Sequence, residues 1–231
     1  NALKDRGVPV VRFPTLGVRS RNLPPIRNLD SFTLCIFVSP NAVRSAPPWL
    51  LAGVASLPLF AVGASTAAAI AESGMSATAP VDTSNSEALL GLKELSLLSS
   101  GDGALIVRGG GGREKLASAL RARGVQVTYA DVYERYRPAV DDVAREALRT
   151  VEAGCRLLVT SREGLRNLAH MIEAPLLCRL RSEARVVTLS ERLSAVVRTE
   201  GYTGPVQIVP PHHGGLVAAL CCAESAAPDA T

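Results

Sequence analysis

The densest chemical signal in the chain is Arg108 to Arg113, two arginines bracketing four glycines, between an apolar run at Ala104 to Val107 and a helix-forming stretch at Glu114 to Leu116. A strand, a glycine turn and a helix opening at Arg113 would set unpaired helix amides beside two guanidinium groups. Carboxylate or phosphate is attracted by that combination. The spacing is not that of a nucleotide loop: both the phosphate-loop pattern and the dinucleotide pattern counted from Gly109 require glycine where Glu114 stands. Four glycines also make an ordinary flexible strand-to-helix turn, and the turn by itself does not separate the two readings.

Composition narrows what such a site would bind. The net charge is +4, the isoelectric point is near 9.0 and aromatic residues make up 4% of the chain. With no Lys/Arg run either, the stacking and phosphate contacts of a nucleic-acid binder are lacking. An anionic small molecule fits better. A chain of 231 residues, 47% hydrophobic and 20% charged, is that of a soluble globular protein with one large domain or two ordinary ones. The five cysteines, Cys35, Cys155, Cys178, Cys221 and Cys222, are odd in number and form no C-x-x-C pair. They suggest neither a disulfide framework nor a zinc site, and they fit a reducing cytoplasm. His212 and His213 follow two prolines and read as exposed loop residues, so no metal is assigned. The uncharged run from Trp49 to Ala71 has the length of a membrane span, but Pro58 and Gly63 divide it into a helix end, a strand at Leu59 to Val62 and a small-residue helix. The polar Asn1 to Arg6 does not read as a secretory signal.

Strands followed by helices recur throughout, as in α/β units with parallel sheets. The two halves can be laid over each other. Thr33 to Ser39 leads into Pro40, and Arg156 to Ser161 leads into Arg162, each an apolar strand ending in serine before a helix. Leu59 to Gly63 parallels Val186 to Ser190, with a glycine eleven positions on in both cases, at Gly74 and Gly201. Leu3 to Val10 repeats Leu120 to Val127 as helix end, glycine cap and strand. The second copy is preceded by a strand and a glycine loop, whereas the first has nothing before it. The repeat therefore predicts about twenty further residues, one strand and most of a helix, ahead of Asn1. Without that strand an apolar groove would be exposed and stability lowered.

With these segments in order, the chain resembles the uroporphyrinogen-III synthases of tetrapyrrole biosynthesis over essentially its whole length. The residues that carry the resemblance are Phe37 to Val43, Ala61 to Ala67, Ser86 to Leu90, Leu105 to Gly124, Val132 to Arg135, Val159 to Ser161 and Leu189 to Leu193. The resemblance implies an α/β fold of two similar lobes, each a parallel sheet flanked by helices, joined by a two-stranded connector, with substrate held in the cleft. The crossings would fall near Pro14 to Arg19 and Val132 to Pro138, so that residues 1–18 plus 136–231 form a discontinuous lobe and residues 19–135 an inserted one. It also implies the chemistry: cyclisation of the linear tetrapyrrole hydroxymethylbilane with loss of water and inversion of the terminal pyrrole ring. No cofactor is required, and the expected enzyme is a cytoplasmic monomer without nucleic-acid or membrane partners.

On the same resemblance, Tyr133 matches the tyrosine of a Y-x-R segment and is the candidate catalytic group, a phenol that donates to the departing hydroxyl. Packing with a satisfied hydroxyl is the alternative role for a tyrosine there. Candidate contacts to the substrate's acetate and propionate groups are Ser39, Asn41, Gly63, Ser65, Thr66, Gly109, Arg113, Ser161, Ser190 and Arg192, all at strand-to-helix junctions. Each hydroxyl in that set can equally be a simple helix cap. Ser190-Glu-Arg192 stands where some family members carry glycine and threonines. Two other classes remain open: a non-catalytic two-lobed module binding an anionic small molecule, and a dinucleotide-dependent oxidoreductase.

Overall fold

A computed structural model of the chain describes residues 2–81, 85–111, 114–210 and 213–221. It divides into two compact units, one running from Val18 to Tyr136 and the other made of the residues up to Gly17 and those from Arg137 onward.

The Val18–Tyr136 unit is built on five strands: β1 (Gly17–Ser20), β2 (Leu34–Phe37), β3 (Leu59–Ala61), β4 (Gly103–Gly109) and β5 (Gln126–Tyr136), in the order β1-β5-β4-β2-β3. β2 pairs in parallel with both β3 and β4, and β4 in parallel with β5. All four residues of β2 are buried, because a parallel sheet with helices on both faces has no wet side. Alternate residues serve two cores. Cys35, Phe37, Leu105 and Val107 face the helices Pro40–Arg44, Pro48–Val54 and Ala64–Glu72. Leu34, Ile36, Ala104 and Ile106 face Ser86–Leu90, Lys93–Ser96 and Lys115–Ala122. Leu105 and Phe37 have no exposed surface, so truncating either to alanine would cost about 2–5 kcal/mol.

The other unit holds β6 (Arg156–Val159), β7 (Arg185–Thr188) and β8 (Val206–Ile208), parallel and in that order. Val159 and Val186 pack under the helices Arg162–Met171, Ala174–Glu183 and Glu191–Thr199, while Val187 and Val209 meet the helix His213–Cys221. The internal match survives at the turns: Gly74 and Gly201 both adopt left-handed φ, 80° and 90°, where their helices end.

Several sequence expectations change. Gly7 does cap a short helical turn, with φ 72° and its N–H donated to Lys4 O, but Val8 to Val10 lie outside any strand. A strand exists through its ladder, and Pro9 has no N–H to give one. His213 opens a helix rather than ending a loop, and His212 lies outside the described residues. The uncharged run is split as Pro58 and Gly63 require, into Pro48–Val54, β3 and Ala64–Glu72. Among the described residues no helix is long and apolar enough to cross a membrane.

Candidate functional site

The hydroxyl of Tyr133 is brought onto the end of the sheet by a break in strand register. From Gly103 opposite Gln126 to Arg108 opposite Asp131 the pairing of β4 with β5 advances one residue at a time; Gly109 then faces Tyr133 and Val132 is skipped. In regular pleating Tyr133 would share a face with Tyr129 and Asp131. The extra residue turns it to the opposite face, where it joins the core under the Pro40–Arg44 helix.

There the ring lies across the end of β4. A methyl group on Gly109 would meet Tyr133 Cε2 and Cζ at 2.5 Å, so glycine is required for the ring to pass. The chain also fastens the turn, Gly110 N–H donating to Tyr133 O at 2.8 Å. Beyond β4 the phenol reaches the second residue after β2: Tyr133 Oη lies 3.2 Å from Ser39 Oγ, and either hydroxyl can donate. Ser39 also caps the Pro40–Arg44 helix, accepting from Ala42 N–H at 3.1 Å. Tyr133 is 3% exposed. Ser39, Gly109 and Tyr133 thus come together from three neighbouring strand ends.

The other candidates of this unit lie close along the same edge or outside it. Asn41 is exposed on the Pro40–Arg44 helix. Gly63 is buried at the start of Ala64–Glu72, Ser65 is exposed and Thr66 is buried in the first turn. Arg113 lies outside the described residues.

Arg108 overturns part of the reading of the glycine turn as an anion site. Its side chain is largely buried, donating from Nε to Asp131 Oδ1 at 2.9 Å and from Nη1 to Glu114 Oε1 at 2.8 Å. The guanidinium lies 3.4 Å from the centre of the Tyr129 ring. Burial opposes its charge, but Glu114 and Asp131 outweigh burial and raise its pKa above the ordinary value. Tyr129 donates its hydroxyl to Glu114; together with Arg108 this lowers the Glu114 pKa. The helix begins at Lys115, not Arg113, and the anion beside its first turn is the chain's own carboxylate. Arg108 is therefore a clasp holding β4, β5 and the following helix together.

Sequence reasoning missed a different cation. Arg21, just after β1, donates its backbone N–H to Val132 O at 2.9 Å, and its Nη1 would lie 3.0 Å from a methyl group on Gly110. Arg21 lacks any motif; only the pairing of β1 with β5 places it here.

In the second unit, Ser161 and Ser190 follow β6 and β7 and cap their helices, accepting from Gly164 N–H at 3.0 Å and Leu193 N–H at 3.3 Å. Arg192 is exposed. Thr15, also missed, sits on the start of the Arg162–Met171 helix: its carbonyl accepts from Asn167 Nδ2 at 2.8 Å, and its Oγ1 and Ser161 Oγ both crowd Gly164. Among the described residues no group of three His, Cys, Asp or Glu could hold a metal ion.

Comparison with known proteins gives one answer. The sequence profile of the family described as uroporphyrinogen-III synthase HemD matches residues 1–218. The uroporphyrinogen-III synthase of Salmonella typhimurium is 34% identical over 204 residues, covering 84% of this chain and 80% of that one. That of Escherichia coli is 37% identical over 145 residues, covering 62% and 58%. Among solved structures, the uroporphyrinogen-III synthetase of Helicobacter pylori superposes with a TM-score of 0.65 at 18% identity, covering 89% of this chain and 90% of that one. A mutant uroporphyrinogen III synthase of Thermus thermophilus gives 0.58 at 20% identity, covering 94% and 90%. At those identities the structures speak for the α/β fold.

Proposed function

The chain belongs to the uroporphyrinogen-III synthase family, and from that premise we propose that it closes hydroxymethylbilane to uroporphyrinogen III with Tyr133 protonating the departing hydroxyl. The observation that carries the assignment of Tyr133 is its placement: a break in register and a glycine seat turn one phenol to the strand ends, against Ser39.

The steps make modest demands. The terminal pyrrole nitrogen pushes electrons toward its hydroxymethyl carbon, the C–O bond breaks, and the hydroxide takes the Tyr133 proton and leaves as water. The resulting methylene pyrrolenine is attacked by the substituted carbon of the far ring, forming a spiro centre that fragments and recloses with that ring inverted. The proton released on rearomatisation restores the phenol. A phenol is a weak acid, but the pyrrole push lowers what is required of it, and general-acid help is typically worth about 10²–10⁴-fold. Ser39 already accepts the Ala42 amide. With Ser39 donating to Tyr133 Oη, the phenolic hydrogen is left for substrate and the phenolate is stabilised. The rest of catalysis is orientation, since the unassisted bilane closes head to tail into the type I isomer.

Gly63, Ser65, Thr66, Asn41, Ser161, Ser190, Arg113 and Arg192 are the proposed contacts to the acidic side chains, through strand-end amides and hydroxyls. Every bond change is a proton transfer, a heterolytic cleavage driven by a pyrrole nitrogen, or a carbon electrophile meeting a pyrrole, which supports a reaction without cofactor. The proposal takes the enzyme as a cytoplasmic monomer.

The test is a coupled assay in which hydroxymethylbilane is generated in situ and the oxidised products are separated by chromatography. Predominantly type III uroporphyrin is expected from the wild type. Tyr133→Phe should lower turnover by about 10²-fold or more with the fold intact. Type I alone from the wild type would refute the reaction, and unchanged turnover in Tyr133→Phe would refute the role.

A further inference from the structure

The cation beside the Tyr133 turn is not the one that the glycine motif advertises. Arg108 is committed to Asp131 and Glu114, and Arg19 to Glu134. Arg21 differs from both. Its backbone is anchored to Val132 O, next to Tyr133, while its guanidinium lies over Gly110. Its side chain is exposed, and among the described residues it has no ion-pair partner. Gly110 has already given its N–H to Tyr133 O, so the turn itself has one fewer free donor for a ligand. A fork of five N–H donors over the turn that Tyr133 O fastens is suited to a carboxylate.

Resting on the reaction proposed above, we infer that Arg21 is a substrate-binding residue that takes one acetate or propionate carboxylate of the tetrapyrrole. The contact is made to a group that does not change during the reaction. It is equally strong in substrate and transition state and acts on affinity rather than on the chemical step. Gly110 belongs to the same device, since a side chain there would press on the guanidinium.

The test compares Arg21→Gln, Arg21→Lys and wild type in the coupled assay, and separately titrates each with uroporphyrin III, the oxidised product, by fluorescence. Arg21→Gln should raise KM and weaken uroporphyrin III binding by about 10-fold, with kcat within about 2-fold and the type III share unchanged. The log KM of Arg21→Gln should also depend less steeply on salt, and Arg21→Lys should recover most of the loss. Circular dichroism and thermal melts should match wild type. KM and uroporphyrin III affinity of Arg21→Gln equal to wild type would overturn the inference, as would a fall in kcat without a change in affinity. If the wild type forms only type I, the reaction fails on its own terms. The uroporphyrin III titration still decides Arg21, because equal binding by wild type and Arg21→Gln, or none by either, overturns it.

Discussion

Adding a single methyl group at Gly109 should disable Tyr133 without any substitution of the tyrosine itself. Gly109 has no left-handed φ, so alanine fits the backbone there and the whole effect must come from contact. The new carbon would stand 2.5 Å from Tyr133 Cε2 and Cζ and 3.0 Å from Cδ2. Carbon atoms rest about 3.5–4.0 Å apart, so the ring has to retreat by about 1 Å. The bond from Tyr133 Oη to Ser39 Oγ, at 3.2 Å, is already long and does not survive that movement. Overpacking of this kind costs about 1–3 kcal/mol, or roughly 3–10 °C in melting midpoint for a chain of this size. Turnover should fall toward that of Tyr133→Phe, because both variants lose the same placed proton. The assay is kcat for type III formation in Gly109→Ala, Tyr133→Phe and the double variant, with melts alongside. In the Tyr133→Phe background the methyl should cost little further turnover, a coupled rather than additive pair. Wild-type turnover in Gly109→Ala, or a loss that adds in full to that of Tyr133→Phe, would refute the reasoning.

Two further expectations concern the scaffold. Glu114 has a depressed pKa, first through the Tyr129 hydroxyl and then through Arg108, so its contribution to stability is fully present above the ordinary carboxylate value of about 4.3 and is lost as pH falls through the lower folded value. Urea midpoints should therefore place Glu114→Gln below wild type at neutral pH, with the gap closing under strong acid; a gap that ignores pH would count against the Arg108 clasp. Burial pushes the Cys35 thiol up and seals it in β2, whereas Cys178 is exposed. Thiol reagents followed by peptide mapping should label Cys178 in the native protein and Cys35 only at the rate of unfolding, and rapid native labelling of Cys35 would contradict its place in the core.

What the sequence made legible was what is local. Ser39, Ser161 and Ser190 are readable because a capping hydroxyl and the amide it accepts are three residues apart. The apolar run of β2 announces a strand buried on both faces, and Pro58 and Gly63 announce the breaks around β3. Arg108 was misread because its neighbours in sequence are glycines, while one of its carboxylates comes from Asp131, on the next strand. The meeting of Tyr133 with Ser39 depends on where two strands slip by one residue, and no residue type records that slip. Arg21 carried no signal at all, since its position follows from pairing across more than a hundred residues of chain. Val8 to Val10 have the composition of a strand without a ladder to join.

The skipped residue at Val132 also separates two tasks on one strand. Tyr129 and Asp131 hang on the side that grips Arg108, and Tyr133 on the side that meets Ser39. Substitutions that retune the grip beneath the Lys115–Ala122 helix can accumulate while the phenol keeps its aim. Loss of the bulge, with Val132 drawn into the ladder, leaves no such freedom. Regular pairing through Val132 would preserve every side-chain type in the site and still point the tyrosine into the wrong core, so in this strand the bulge matters more to the aim of the phenol than most of the side chains around it.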